Sequence, residues 1–269
     1  MMSRTLRLSD GASIRLIEAG PGEPLLLLHG VGLQAEVWEP QLADLSRDFR
    51  VIAADLPGHG DSSVLPGAPD LSDFVAWTAG LVRALDLGAV AVAGHSMGAL
   101  IAAGLAVDHP ALVTRVALLN TVYRRTPDAR AAVETRAQAI AAGQADPLAP
   151  LDRWFTPAET AHRAQVGAWL QGVSSAGYAA AYRAFAMGDM TYAAGIASLA
   201  CPVLAMTADG DANSTPAMTQ ALAAAAPLGR AVVLQGHRHM MPLTAPEAVN
   251  AELRRWMAAS APLAQGRIA

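Results

Sequence analysis

The chain reads as an α/β protein. The expected core is a doubly wound, mostly parallel, eight-stranded sheet with an inserted helical cap. Three observations predict this. Short runs that are apolar on both faces recur along the chain, as a helix-covered parallel sheet requires. Helix-like segments alternate with them. The alternation stops for one long stretch that keeps only helical spacing, from about residue 122 to 197. At 269 residues, 53% hydrophobic and 16% charged, the chain can bury a large single core and is far from a disordered composition.

The elements follow in order. Thr5 to Leu8 and Ile14 to Glu18 flank Asp10-Gly11, a hairpin signal, so the sheet should begin with an antiparallel pair. Leu25 to Leu28, Val51 to Ala54, Val90 to Ala93, Val116 to Leu119, Val203 to Met206 and Ala231 to Leu234 are the parallel candidates. Helices are expected at Gln34 to Ser46, Leu71 to Leu85, Met97 to Asp108, Pro216 to Ala226 and Pro246 to Ala259. The insert is Ala-rich and carries Trp154, Trp169, Tyr178, Tyr182 and Phe185, with Pro147 and Pro150 marking a loop. The division is therefore 1–121 and 198–269 for the core and 122–197 for the cap. No internal repeat is found.

The chemistry centres on Gly94-His95-Ser96-Met97-Gly98. This G-x-S-x-G lies between the Val90 to Ala93 run and a helix-like stretch. That context makes it a nucleophile elbow, with Ser96 held exposed on a sharp turn between small neighbours. A serine needs a base and an orienting acid. In this arrangement they follow in the order Ser, acid, His. After Val203 to Met206 come Asp209 and Asp211; after Ala231 to Leu234 come His237 and His239. The residues alone leave both pairs open. Met97, next after the serine, supplies one backbone N–H for a developing oxyanion.

With His29-Gly30 after the third strand and Asp55-Leu56-Pro57-Gly58-His59-Gly60-Asp61-Ser62 after the fourth, the chain resembles the α/β-hydrolase superfamily with an inserted cap over nearly its full length. Within it, the chain looks like enol-lactonase and small carboxylesterase members. The resemblance implies Asp211 as the acid, nine residues after Pro202, and His239 as the base, seven before Pro246. It also implies Val31 as the second oxyanion donor. The expected activity is a serine hydrolase that cleaves a small ester or lactone through an acyl-enzyme, without cofactor or metal. Alternatives are C–C hydrolysis of a vinylogous diketone and a non-catalytic small-molecule receptor.

Other residues have ordinary readings beside the functional one. Trp154, Phe155, Trp169, Met187 and Met190 can line a pocket or pack the cap. Trp154 and Met240 are taken as substrate-binding candidates. Arg124 and Arg125 open the cap and can either pair with a substrate carboxylate or lie in solvent. His29 is expected to hold structure by hydrogen bonds, His59 to sit in a turn, His95 to pack locally. His237-x-His239 lacks the further ligands of a metal site. Cys201 is expected to be a buried thiol.

The net charge of −4 gives no footprint for nucleic acid, and no apolar run is long enough for a membrane span. All 19 basic residues are arginine. The N-terminus lacks a signal-peptide core and a cytoplasmic location is expected. The partner expected is a small-molecule substrate. Nothing in the sequence speaks to oligomeric state.

Overall fold

A computed structural model describes residues 1–8 and 11–259. In chain order the main elements are β1 (Met2–Arg7), β2 (Ser13–Ala19), β3 (Pro24–Leu28), α1 (Glu39–Leu45), β4 (Arg50–Ala54), α2 (Leu71–Ala84), β5 (Val90–His95), α3 (Met97–Asp108) and β6 (Val113–Leu119). They continue with α4 (Pro127–Ala141), α5 (Leu151–Trp154), α6 (Thr160–Gly172), α7 (Ser175–Met187), β7 (Val203–Ala208), α8 (Pro216–Ala225), β8 (Gly229–Leu234), α9 (Met241–Thr244) and α10 (Pro246–Ala258).

The eight strands form one sheet in the order β1-β2-β4-β3-β5-β6-β7-β8. β1 and β2 are antiparallel, as are β2 and β4; the remaining pairs are parallel. The expected opening hairpin is present as a strand pair, while Asp10 of its turn lies outside the described residues. The chain steps outward from β3 to β4 and then returns to the other side of β3 as β5. Order reverses there, and ligands of open α/β sheets bind outside the carboxyl ends of the strands at such a point. The register aligns these ends: Leu28 pairs with Gly94, His95 with Leu119, and Leu119 with Met206. The loops after β3, β5, β6 and β7 therefore begin side by side.

Apolar composition explains the central strands. Leu25 to Leu28, Val90 to Ala93 and Val203 to Met206 are essentially inaccessible. α3, between the sheet and α2, is apolar all round, and ten of its residues are buried, as expected of a helix covered on every side. β8 differs from expectation. It closes the sheet, so half of its residues stay exposed and the others are only half-buried. The first helix is also shorter than expected: Ala35–Trp38 forms a tighter 3-10 turn, and Pro40, suited to a first helical turn, sits just inside α1.

Between β6 and β7 the described chain holds α4 to α7 and two 3-10 turns, Gly188–Met190 and Gly195–Ser198, with no strand. α4 packs against α7 and buries no residue fully. No helix among the described residues is long and apolar enough to cross a membrane.

Candidate active site

Ser96 sits between β5 and α3 with φ 56° and ψ −116°. A non-glycine residue there is strained and persists only where its surroundings enforce it. The enforcement is visible. Ser96 N–H donates to the Leu119 carbonyl at 2.8 Å. A Cβ on Gly94 would collide with the Gly98 backbone, and one on Gly98 would collide with the Leu28 carbonyl. The two glycines let strand, turn and helix pack this closely. The serine stays 8% exposed.

Asp211 and His239 are brought together. His239 Nδ1 lies 2.8 Å from Asp211 Oδ2. The carboxylate also accepts from Asn120 Nδ2 at 2.8 Å, Asn213 N at 2.8 Å and Ser214 N at 3.1 Å. Burial pushes the Asp211 carboxyl up. The nearby His239 and the hydrogen bonds from His239, Asn120 and Asn213 outweigh it, and the group titrates below the usual carboxylate range. It therefore stays ionised and fixes Nδ1 as the protonated nitrogen, leaving Nε2 as the basic one.

The other members of the two duplicated pairs are elsewhere. Asp209 is exposed and accepts from Gly236 N at 2.8 Å, closing a turn. Among the described residues the His237 ring has a long contact, 3.4 Å, to Thr244 Oγ1, while its carbonyl accepts from Gly210 N at 3.1 Å. Gly236 with φ 78° reverses the chain just before it, so His237 and His239 no longer project alike.

The loop after β3 is tied down by two histidines. His29 Nε2 accepts from Leu56 N at 2.9 Å and His59 Nε2 accepts from Gly32 N at 2.9 Å. Their Nδ1 atoms then carry the protons and donate to the Gly30 and Pro57 carbonyls. Burial holds His29 down to about 4 and His59 to about 3. His59 was expected only in a turn; its ring in fact holds the Gly32 amide. Asp55 and Ser62 brace the neighbouring loop. Asp55 accepts from Ala35 N at 2.7 Å and pairs with Arg15 at 3.1 Å, and Ser62 Oγ donates to the Asp55 carbonyl at 2.8 Å. Val31, at the turn of the β3 loop, donates to no backbone acceptor among the described residues outside helices and strands. Met97, first residue of α3, has an amide that helix geometry leaves unpaired.

His95 is fully buried, its ring 4.9 Å from that of His239. Burial, then the proximity of His239, pushes it down to about 3. It is therefore neutral, and Nε2–H donates to the His239 carbonyl at 2.8 Å. His95 thus pins the loop that carries His239.

A cavity of about 570 Å³ joins these groups. Gly30, Val31, His95, Ser96 and His239 form its core wall. Trp154, Tyr178, Tyr182 and Phe185 contribute from the cap, together with three arginines. Trp154 stacks on His239, ring centroids 5.4 Å apart at 28°. Met240 requires correction: it is fully buried in the hydrophobic core and does not line the cavity, because its backbone opens α9 and accepts from Leu243 and Thr244. Met218 of α8 lines the wall instead. Phe155 is buried away from the cavity, Trp169 does not line it, and Met187 and Met190 are exposed. Cys201 is half-buried rather than enclosed, its thiol pushed up by burial. Asn120, held at φ 49°, escaped sequence reading; its only signal was a polar residue ending an apolar strand. Among the described residues no group of three or more His, Cys, Asp or Glu side chains is placed to hold a metal.

Comparison with known proteins agrees with this architecture. Residues 25–252 match the profile described as the alpha/beta hydrolase family. The chain is 47% identical over 259 residues to an (E)-2-((N-methylformamido)methylene)succinate hydrolase of Acinetobacter baylyi, covering 96% of this chain and 98% of that one. A thermophilic esterase from Thermogutta terrifontis superposes with TM-score 0.85 at 25% identity, covering 96% and 98%. The enol-lactonase of Burkholderia xenovorans LB400 shares the fold, with TM-score 0.83 at 24% identity over 95% and 100%.

Proposed function

The chain belongs to the alpha/beta hydrolase family, and from that premise we propose that it is a serine hydrolase cleaving an acyl bond of a small molecule, with Ser96, His239 and Asp211 as its triad. The observation that carries the reading is the 2.8 Å contact between His239 Nδ1 and the ionised Asp211, in the loop that shares a cavity wall with the strained Ser96.

Ser96 Oγ attacks the carbonyl carbon, and His239 Nε2 takes its proton while Asp211 stabilises the imidazolium. The amides of Val31 and Met97 receive the oxyanion as charge grows on it. His239 returns the proton to the departing oxygen or nitrogen, leaving an acyl-enzyme. Water, deprotonated by the same imidazole, then releases the acid. A cavity near 570 Å³ suits a small substrate rather than a long acyl chain.

The first expectation, an ester or lactone, needs widening. The Acinetobacter relative is a hydrolase of (E)-2-((N-methylformamido)methylene)succinate, a compound that carries an N-formyl group, and its similarity over 96% of this chain supports adding an N-acyl bond to the targets tested. The test is fluorophosphonate labelling of the wild type and Ser96→Ala, followed by a panel: p-nitrophenyl esters, small lactones, an N-formyl enamide of succinate and a vinylogous diketone. Labelling that depends on Ser96, with turnover of an acyl substrate, is the expected result. Turnover of the diketone alone would move the reaction to a C–C bond, and labelling without any turnover would mark a receptor.

A further inference from the structure

The cavity has a chemically uneven lining. Its residues include Arg125, Arg136 and Arg153, all from the cap, and no Asp or Glu. In a chain of net charge −4 this concentrates cationic groups at one place. A cleft of one sign with low-dielectric walls focuses its field on whatever enters.

The three differ in burial: Arg125 is buried, Arg136 half-buried and Arg153 exposed. Arg125, for which the sequence leaves both carboxylate pairing and solvation open, is 6% exposed. Its guanidinium lies over the Phe185 ring at 4.5 Å and 3.3 Å from Asp189, and Nη1 also reaches the carbonyls of Phe185 and Ala186. Its Nη2 is buried without any hydrogen-bond partner. Asp189 is shared, because Arg130 also pairs with it at 3.2 Å, so one carboxylate serves two guanidinium groups. Arg136 lies over Tyr182 at 5.8 Å and donates from Nη2 to the Asp146 carbonyl, while its Nε is buried without a partner. Neither Arg136 nor Arg153 pairs with a carboxylate among the described residues. Arg136 and Arg153 thus line the cavity with no carboxylate of the described residues to neutralise them, which leaves their charge for an acceptor brought by a ligand. Planar guanidinium groups match carboxylates in shape and charge.

We propose that Arg125, Arg136 and Arg153 make the cap wall a carboxylate receptor, so that the substrate is a small carboxylic acid carrying its scissile acyl bond at the opposite, core wall. The receptor itself stands on the cavity lining; the placement of the acyl bond rests on the serine-hydrolase reading above.

Two measurements test it separately from that reading. In the Ser96→Ala protein, calorimetry compares succinate with succinamide, its neutral counterpart. Succinate should bind at least tenfold more tightly, the advantage should shrink in Arg136→Gln and Arg153→Gln, and Arg136→Lys should restore part of it. In the wild type, the ratio of kcat/KM for p-nitrophenyl hydrogen succinate to that for p-nitrophenyl acetate should exceed about ten and fall toward one in Arg136→Gln. These two positions are chosen because Arg125→Gln would remove the buried partner of Asp189, leaving it only the half-exposed Arg130, and would endanger folding. Equal affinity for succinate and succinamide, or a ratio near one in the wild type, overturns the receptor. Tight succinate binding with no ester, lactone or formamide hydrolysed would leave the receptor standing and sink the hydrolase reading.

Discussion

The two walls of the cavity are built in opposite ways. The core wall is rigid and over-determined. Ser96 is held in strain by glycine contacts and the Leu119 carbonyl, and three fully buried neutral histidines tie adjacent loops to one another. The cap wall is uneven. α6 and α7 bury several residues each, whereas α4 buries none fully, and the cap arginines Arg125 and Arg136 each keep one buried donor without a partner among the described residues. On the proposed reading, atoms that must be fixed within tenths of an ångström during bond cleavage would come from the ends of packed strands, and groups that recognise the rest of a substrate from helices that can drift in sequence without dismantling the sheet.

The comparison breaks most sharply at the core wall. Ser96→Ala should lower kcat for the best acyl substrate by about 10⁴–10⁶, the usual range for loss of a triad nucleophile. Folding should survive, since the change only removes an oxygen. A purified variant retaining more than a hundredth of wild-type turnover, with contamination excluded, would place the nucleophile elsewhere. Asp211→Asn comes next, near 10⁴-fold by the figure for that change in another serine hydrolase. Asp209→Asn, which alters only a surface turn, should stay within a few-fold. If the two variants ranked the other way, Asp209 would be the orienting acid.

A third expectation concerns the stability of the core wall against acid. His29 titrates at about 4, and His59 and His95 at about 3, all lowered first by burial. An unfolded histidine takes a proton near pH 6.5. Between about pH 6.5 and 4 the unfolded chain therefore binds more protons than the folded one, so stability present at neutral pH is lost as pH falls through that window. At pH 5 a single histidine held this low disfavours the fold by about 2 kcal/mol, and because the shifts of His59 and His95 each include repulsion from His29 the three do not simply add. The Tm should fall by several degrees or more between pH 7 and pH 5. A flat Tm over that range would mean that these rings gain protons without unfolding.

The two walls also differ in how well a sequence announces them. β5, the elbow and α3 were readable because a run apolar on both faces, a G-x-S-x-G and an Ala/Leu helix follow one another without a gap. The order acid then histidine after later strands is likewise local information. What escaped depended on packing across distance. Asn120 reaches Asp211 only because β6 and β7 are in register. Arg136 and Arg153 line the cavity only through the way the cap lies against the core, and helical spacing alone does not say which face that is. The sequence left open whether Arg125 pairs with a carboxylate or lies in solvent; Asp189, 64 residues on, draws its backbone and side chain inward. Met240 misled for the opposite reason: nearness to His239 in sequence put it at the pocket, and the turn into α9 took it away.

The smallest effect tests where the walls meet. Trp154 of α5 is half-buried and stacks on His239 at 5.4 Å, the cap aromatic that touches the proposed base. An aromatic contact of this kind contributes about 0.5–1.5 kcal/mol, which corresponds to roughly two- to tenfold in rate if it acts wholly on the geometry or charge of the imidazole. Trp154→Ala should therefore lower kcat/KM within that range. Because a π-face also favours the imidazolium, the acid limb of the kcat/KM profile should shift to lower pH. Trp154→Phe should recover most of both, since stacking needs a ring and not an indole nitrogen. A loss confined to KM, with the pH profile unmoved, would make Trp154 a contact for substrate alone. A loss of a thousandfold would mean that the cap takes part in fixing the base, and the division between a chemical wall and a recognition wall would have to be redrawn with Trp154 on the chemical side.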